Sequence, residues 1–107
     1  MKAYIYGLVD PFTNEIIYIG QTCRKEARLQ AHLSDGGKSK KASLIRDIIS
    51  MGEKPTMEIL EETTRKNASE AETRWIAKAI KNNWPITNIS RIGVSGGKII
   101  KKSDKLI

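Results

Sequence analysis

The chain has 107 residues, 39% hydrophobic and 29% charged, with 19 Lys/Arg against 12 Asp/Glu for a net charge of +7. A chain of this length makes one small domain, in which folding buries roughly 60 to 70% of the unfolded surface, so one core can hold it without staples. A single cysteine, Cys23, excludes a disulfide framework and a cysteine-rich zinc site, and no apolar run approaches the roughly 18 residues of a membrane span; the expected compartment is the reducing cytoplasm, with no membrane partner.

In chain order, Ala3 to Val9 alternates Tyr4, Tyr6 and Leu8 with Ala3, Ile5, Gly7 and Val9, the period of a strand. Ile16 to Ile19 is a second such run. Asp10-Pro11-Phe12-Thr13-Asn14 between them supplies turn chemistry, so the two runs should pair as an antiparallel hairpin. Lys25 to Leu33 reads as a short helix stopped by Asp35-Gly36-Gly37. A second helix follows a basic loop, with Leu44, Ile45, Ile48 and Ile49 as its apolar stripe and Gly52 at its end. Thr56 to Glu62, with Met57, Ile59 and Leu60, predicts a third strand. The final helix runs from about Ala68 to Asn82. Asn67-x-x-Glu70 resembles a capping box, Trp75, Ile76, Ala79 and Ile80 form the expected buried stripe, and Pro85 bars continuation. The order β-β-α-α-β-α predicts an α+β domain, a small antiparallel sheet of about three strands flanked by helices. The domain is expected over residues 1–92, followed by a basic tail or short strand over 93–107.

The positive charge is segregated along the chain. Residues 24–41 carry Arg24, Lys25, Arg28, Lys38, Lys40 and Lys41 against Glu26 and Asp35, and residues 98–107 carry Lys98, Lys101, Lys102 and Lys105 against Asp104. Six of the twelve acids fall within residues 53–72. A polyanion is the first partner to expect, because neutralising phosphates releases counterions and gives sequence-independent affinity. A solvated surface would carry the same charges.

Three features go beyond plain architecture. All three tyrosines, Tyr4, Tyr6 and Tyr18, lie on the two paired strands, where cross-strand pairing can bring Tyr18 close to one of the others. A half-buried aromatic face would read the same way. Arg28 and His32 stand at i and i+4, so an exposed helix face offers a guanidinium fork and a proton carrier side by side, a pair that suits a phosphate but also occurs on ordinary surfaces. Glu72 lies along the stripe of Ile76, Ala79 and Ile80. A carboxylate beside the core costs several kcal/mol without a partner, so it should meet a cation, either an arginine or a divalent metal. Cys23, near this region in sequence, reads as a buried, inert thiol.

Tyr4-Ile5-Tyr6, eleven residues, then Tyr18-Ile19-Gly20 resembles the paired signature tripeptides of the GIY-YIG endonuclease superfamily. Arg28, ten residues after Tyr18, resembles the family's catalytic arginine, and His32 the histidine one helical turn later. Glu72, in Glu-x-x-Trp-Ile, resembles its metal-binding glutamate. Asn88, in Thr87-Asn88-Ile89, resembles the asparagine that closes the motif set. The resemblance runs from about Ala3 to Ser90. It departs from the pattern at Tyr4, where glycine is usual; the appended DNA-binding module that sequence-selective members carry is expected to be missing.

The resemblance implies hydrolysis of DNA phosphodiester bonds assisted by Mg²⁺ or Mn²⁺. Tyr6 would take the proton of the attacking water. A free phenol, with a pKa of about 10, is a poor base at neutral pH, so positive charge from the metal's water, Arg28 or His32 must help it. Arg28 would bridge phosphate oxygens and Tyr18 would position the nucleophile. Glu72 would be the sole protein ligand of a metal otherwise held by water and phosphate, a mode that suits magnesium's reluctance to dehydrate. Asn88 would orient backbone or water behind these groups. Arg24, Lys38, Lys40, Lys41, Lys98, Lys101 and Lys102 are expected to hold the nucleic acid through its phosphates, with little sequence selectivity. A non-catalytic DNA-binding module on the same fold, or the catalytic piece of a larger nuclease whose partner supplies specificity, are the alternatives. The sequence leaves the oligomeric state open.

Overall fold

The computed structural model describes residues 1–88. Over that span the chain forms β1 (Lys2–Asp10), β2 (Glu15–Thr22), α1 (Lys25–Leu33), α2 (Lys40–Ser50), β3 (Thr56–Thr64), a single 3₁₀ turn (Arg65–Asn67) and α3 (Ala68–Lys81). This is the expected β-β-α-α-β-α order. The boundary at 92, the tail and Lys98, Lys101 and Lys102 lie outside the described residues.

The three strands form one antiparallel sheet in the order β2-β1-β3. As the central strand, β1 is covered on both faces, and seven consecutive residues from Ala3 to Val9 include only one, Tyr4, that is not buried. The hairpin closes through Asp10, whose Oδ1 accepts from Phe12 N at 2.8 Å, and through Asn14, which takes φ of +61°. Asparagine tolerates that left-handed conformation better than most side chains.

Two layers of helix sandwich the sheet. On one face Ile5 and Ile19 pack with Ala71 and Ala79 of α3 and with Trp75, Ile76, Trp84 and Ile86. On the other, Tyr6, Leu8 and Ile17 pack with Ile45 and Ile48 of α2 and with Leu29 and Leu33 of α1. A bulge makes this second face possible. Leu8 faces Tyr18 and Val9 faces Ile16, so Ile17 is an extra residue, and Ile17 and Tyr18 both join the Tyr6 cluster. A second irregularity, between Ile5 and Tyr6, leaves Leu60 as the extra residue of β3 and turns it toward the α3 side.

The helix ends differ in part from expectation. Gly52 does end α2, with φ of +91° and paired bonds from Gly52 N to Ile49 O and Glu53 N to Ile48 O. This is the reverse turn that glycine allows at low cost. After α1, by contrast, the chain leaves the helix at Ser34 with ordinary backbone angles, and neither Gly36 nor Gly37 takes a positive φ. Asn67 makes no side-chain cap. Thr64 Oγ1 instead accepts from Asn67 N at 3.3 Å, because the 3₁₀ turn moves the capping position back one turn. At its far end α3 is stopped by Asn83, φ +59°, before Pro85 is reached. The buried side of α3 is built from Ala68, Ala71 and Ala79, Trp75 and Ile76 are half-buried, and Ile80 is 42% exposed. Small residues are selected there because the helix lies close to the sheet.

Candidate active site

Tyr6 stands at the centre of the sheet, fully buried, on the face covered by α1 and α2. Its partner across the hairpin is Gly20, while Tyr18 sits diagonally, opposite Leu8, with the two rings 6.3 Å apart. Tyr4 stands apart from this pair. It faces Thr22, and Lys25 Nζ lies 4.4 Å from its ring centroid.

From α1, Arg28 donates Nε–H to Tyr6 Oη at 3.3 Å, and His32 places Nε2 2.7 Å from the same oxygen. The sequence suggests that Arg28 and His32 share an exposed helix face. Only Arg28 is exposed; His32 is 3% exposed, its ring set edge-on against Tyr6 at 5.7 Å and Tyr18 at 5.2 Å. The helix lies over the tyrosines at that position, which no spacing along α1 could disclose.

The cluster extends to Lys41, the second residue of α2. Its ammonium lies 3.0 Å from His32 Nδ1, 3.0 Å from Asp35 Oδ2 and 5.3 Å from the Tyr18 ring centroid. Asp35 is held in turn by Gly37 N, and that bond, together with Lys41, keeps its carboxyl below the usual range. Lys41, expected among the surface cations for nucleic acid, is therefore turned inward.

The electrostatics follow from burial and neighbours. Burial pushes the Tyr6 phenol up to about 12, with the Arg28 hydrogen bond pulling the other way. Burial, then the charges of Lys41 and Arg28, hold His32 down to about 4, so it is neutral at pH 7. Arg28 is raised, first by its bond to Tyr6, with Tyr18 adding to the effect.

Glu72 comes from the opposite layer. It is half-buried on α3, and its Oε1 accepts from Gln21 Nε2 at 3.1 Å. Of the two cations the sequence leaves open, an arginine is not the one found: among the described residues Glu72 has no ion pair. Its charge nonetheless bears on Tyr6, where it opposes ionisation of the phenol. A lone carboxylate with no competing cation is a donor suited to a hard divalent ion that keeps most of its water. No group of three or more His, Cys, Asp or Glu is placed to form a protein cage for a metal among the described residues. The donor set thus fits Mg²⁺ or Mn²⁺ held by Glu72 with water and phosphate, and does not fit a closed structural site.

Asn88 reaches back to the outer edge of β2, where its amide accepts from Ile19 N at 3.0 Å and donates to Ile19 O at 2.9 Å. Thr87 adjoins it, with N and Oγ1 both bonded to Ile17 O. The side chain pairs with β2 as a neighbouring strand would, one residue before Gly20 and two before Gln21.

The cations expected on one nucleic-acid surface are divided. Arg24 and Arg28 line a concavity with Arg65, Thr22 and Cys23, whereas Lys38 and Lys40 line a separate groove with Asp47 and Pro85. Cys23, expected to be buried, is exposed at the mouth of the first, because it falls in the two-residue link between β2 and α1. Arg65 was not legible as a site residue in sequence, since it reaches the concavity from beyond β3.

The chain matches the GIY-YIG catalytic domain over residues 2–83 and belongs to that family. Its fold is accordingly of nuclease type. No curated protein and no solved structure gives a significant match. Among the described residues no helix is long and apolar enough to cross a membrane.

Proposed function

We propose that this chain is a divalent-metal-dependent endonuclease that hydrolyses DNA phosphodiester bonds with little sequence selectivity, acting in the cytoplasm. The observation that carries the reading is the convergence of Arg28 and His32, from one helix, on the hydroxyl of Tyr6, with Glu72, which has no ion pair among the described residues, bearing on the same phenol.

Hydrolysis needs a base for the attacking water, charge relief at phosphorus and stabilisation of the departing oxygen. Tyr6 is the base. Once ionised, its oxygen is held by two nitrogen partners and keeps a lone pair for the water's proton. Arg28 spends Nε on Tyr6, which leaves its terminal nitrogens for phosphate oxygens, where a planar fork binds in bidentate fashion. Tyr18, beside Tyr6 and Arg28, positions the water. Mg²⁺ or Mn²⁺ at Glu72 would supply positive charge to the phosphate and favour the ionised phenol. Arg24 and Arg65 extend the positive surface away from Arg28, and their contacts would be with phosphates rather than base edges.

The test is a gel assay on supercoiled plasmid with Mg²⁺, with Mn²⁺ and with chelator. Nicking or linearisation that chelator abolishes is the expected result. If wild-type protein cuts no duplex, branched or single-stranded DNA with either ion, the basic binding module is the better account.

A further inference from the structure

We propose that Lys41 is a positioning residue: it fixes His32 in the tautomer that carries its proton on Nε2, so that the Tyr6 oxygen receives N–H donors from both His32 and Arg28. The assignment of a tautomer rests on geometry alone, and its consequence for catalysis rests on the nuclease reading above.

A lysine ammonium has three donors and no acceptor. Lys41 is ion-paired with the Asp35 carboxylate at 3.0 Å, so the contact of its ammonium with His32 Nδ1, also 3.0 Å, requires a lone pair on that nitrogen. A doubly protonated ring would set an N–H against an ammonium at that distance. The ring is therefore neutral with its proton on Nε2, and Nε2–H points at Tyr6 Oη, 2.7 Å away. Arg28 supplies the second donor at 3.3 Å.

With both donors in place, the phenol's own proton cannot go to His32. In the neutral form it must take a direction other than those two; in the ionised form that direction carries a lone pair. His32 is thereby made a donor to the developing phenolate rather than the group that deprotonates it. Without Lys41 the ring could turn over its protonation, with Nδ1 carrying the proton and Tyr6 donating inward to Nε2. That arrangement aims the phenol's proton away from any water. Lys41 is held in place by Asp35, by the ring of Tyr18 and by a helix whose N-terminus is capped by Ser39 Oγ accepting from Ala42 N.

His32 is the one histidine in the chain, so a tag-free ¹⁵N-labelled sample gives a single imidazole pattern in a long-range ¹H–¹⁵N correlation spectrum. The wild type at pH 7.5 should show the Nε2–H tautomer, and Lys41→Met should shift the population toward Nδ1–H. A wild-type spectrum of the Nδ1–H form overturns the proposal, even if the variant fails to fold. So does a folded Lys41→Met with the wild-type tautomer. On the nuclease reading, Lys41→Met should slow cleavage at saturating DNA by about tenfold, a small general acid–base effect, with Kd for DNA within about threefold. A large loss of affinity with unchanged turnover would make Lys41 a phosphate contact instead. Failure of the wild type to cut DNA would end the nuclease reading and leave the tautomer result standing.

Discussion

Gly20 lies directly across the hairpin from Tyr6, and a methyl group placed on it would meet Tyr6 Oη at 2.6 Å and Tyr18 Cε2 at 3.0 Å. The glycine is required by the hydroxyl that crosses it, not by its backbone angles. Tyr6 is fully buried, so it cannot step aside cheaply. Gly20→Ala should cost about 1 to 3 kcal/mol, as overpacking does, and should displace the hydroxyl from His32 and Arg28. A displacement of that kind lowers rates on the order of 10²-fold. Melting curves and the plasmid assay check both effects, and an active variant of wild-type stability would contradict the packing argument.

Tyr6→Phe keeps the ring and removes the oxygen. It should abolish cleavage, leave DNA affinity within a few-fold, and cost about 1 to 3 kcal/mol because the nitrogen donors of His32 and Arg28 lose their acceptor. Because burial sets the phenol at about 12, only a minute fraction is ionised at neutral pH. The wild-type rate should therefore rise about tenfold per pH unit through the neutral range. A flat profile in single-turnover measurements would remove Tyr6 from the role of base.

His32 makes stability depend on pH. Its imidazole is lowered from 6.5 to about 4, so between those values the unfolded chain binds a proton that the folded chain refuses. Stability consequently falls as pH drops through that window, and the group's contribution levels off below it. The full shift corresponds to at most about 3 kcal/mol. Thermal melts from pH 7 to pH 4 should show a steeper decline in wild type than in His32→Gln, and equal slopes would refute the assignment.

Glu72→Gln preserves shape and a hydrogen-bonding oxygen for Gln21 while removing the charge. Metal-dependent cleavage should be lost, and the melting midpoint should barely move, since substitutions away from buried networks usually fall within about 0.5 kcal/mol. A destabilised variant that still cleaves would make Glu72 structural.

Arg24 and Arg65 lie on either side of one concavity beside Arg28. Their joint replacement by alanine should weaken binding about equally on unrelated DNA sequences and lower the salt slope by roughly one unit per lost phosphate contact. Binding titrations at several salt concentrations measure this, and a salt-independent affinity would sink it.

The elements and their order were legible in the sequence, because strand alternation, helical stripes and turn residues are local signals that the fold did not override. The limits of α1 could be read directly, and so could the glycine end of α2. The sequence also determined the family, through tyrosines, arginine, glutamate and asparagine at fixed intervals. Tertiary structure decided what those residues touch. His32 is buried because α1 crosses the sheet at the tyrosines, and Lys41 turns inward because Asp35 and the imidazole wait for it across a loop. The bulge sends Ile17 to Tyr6's side of the sheet beside Tyr18, against the simple alternation. Glu72 meets a glutamine rather than an arginine because β2, not a basic helix, runs beneath that turn of α3. Each of these depends on how layers stack at distances the chain spans only when folded, and a one-dimensional pattern carries no record of which face another element will cover.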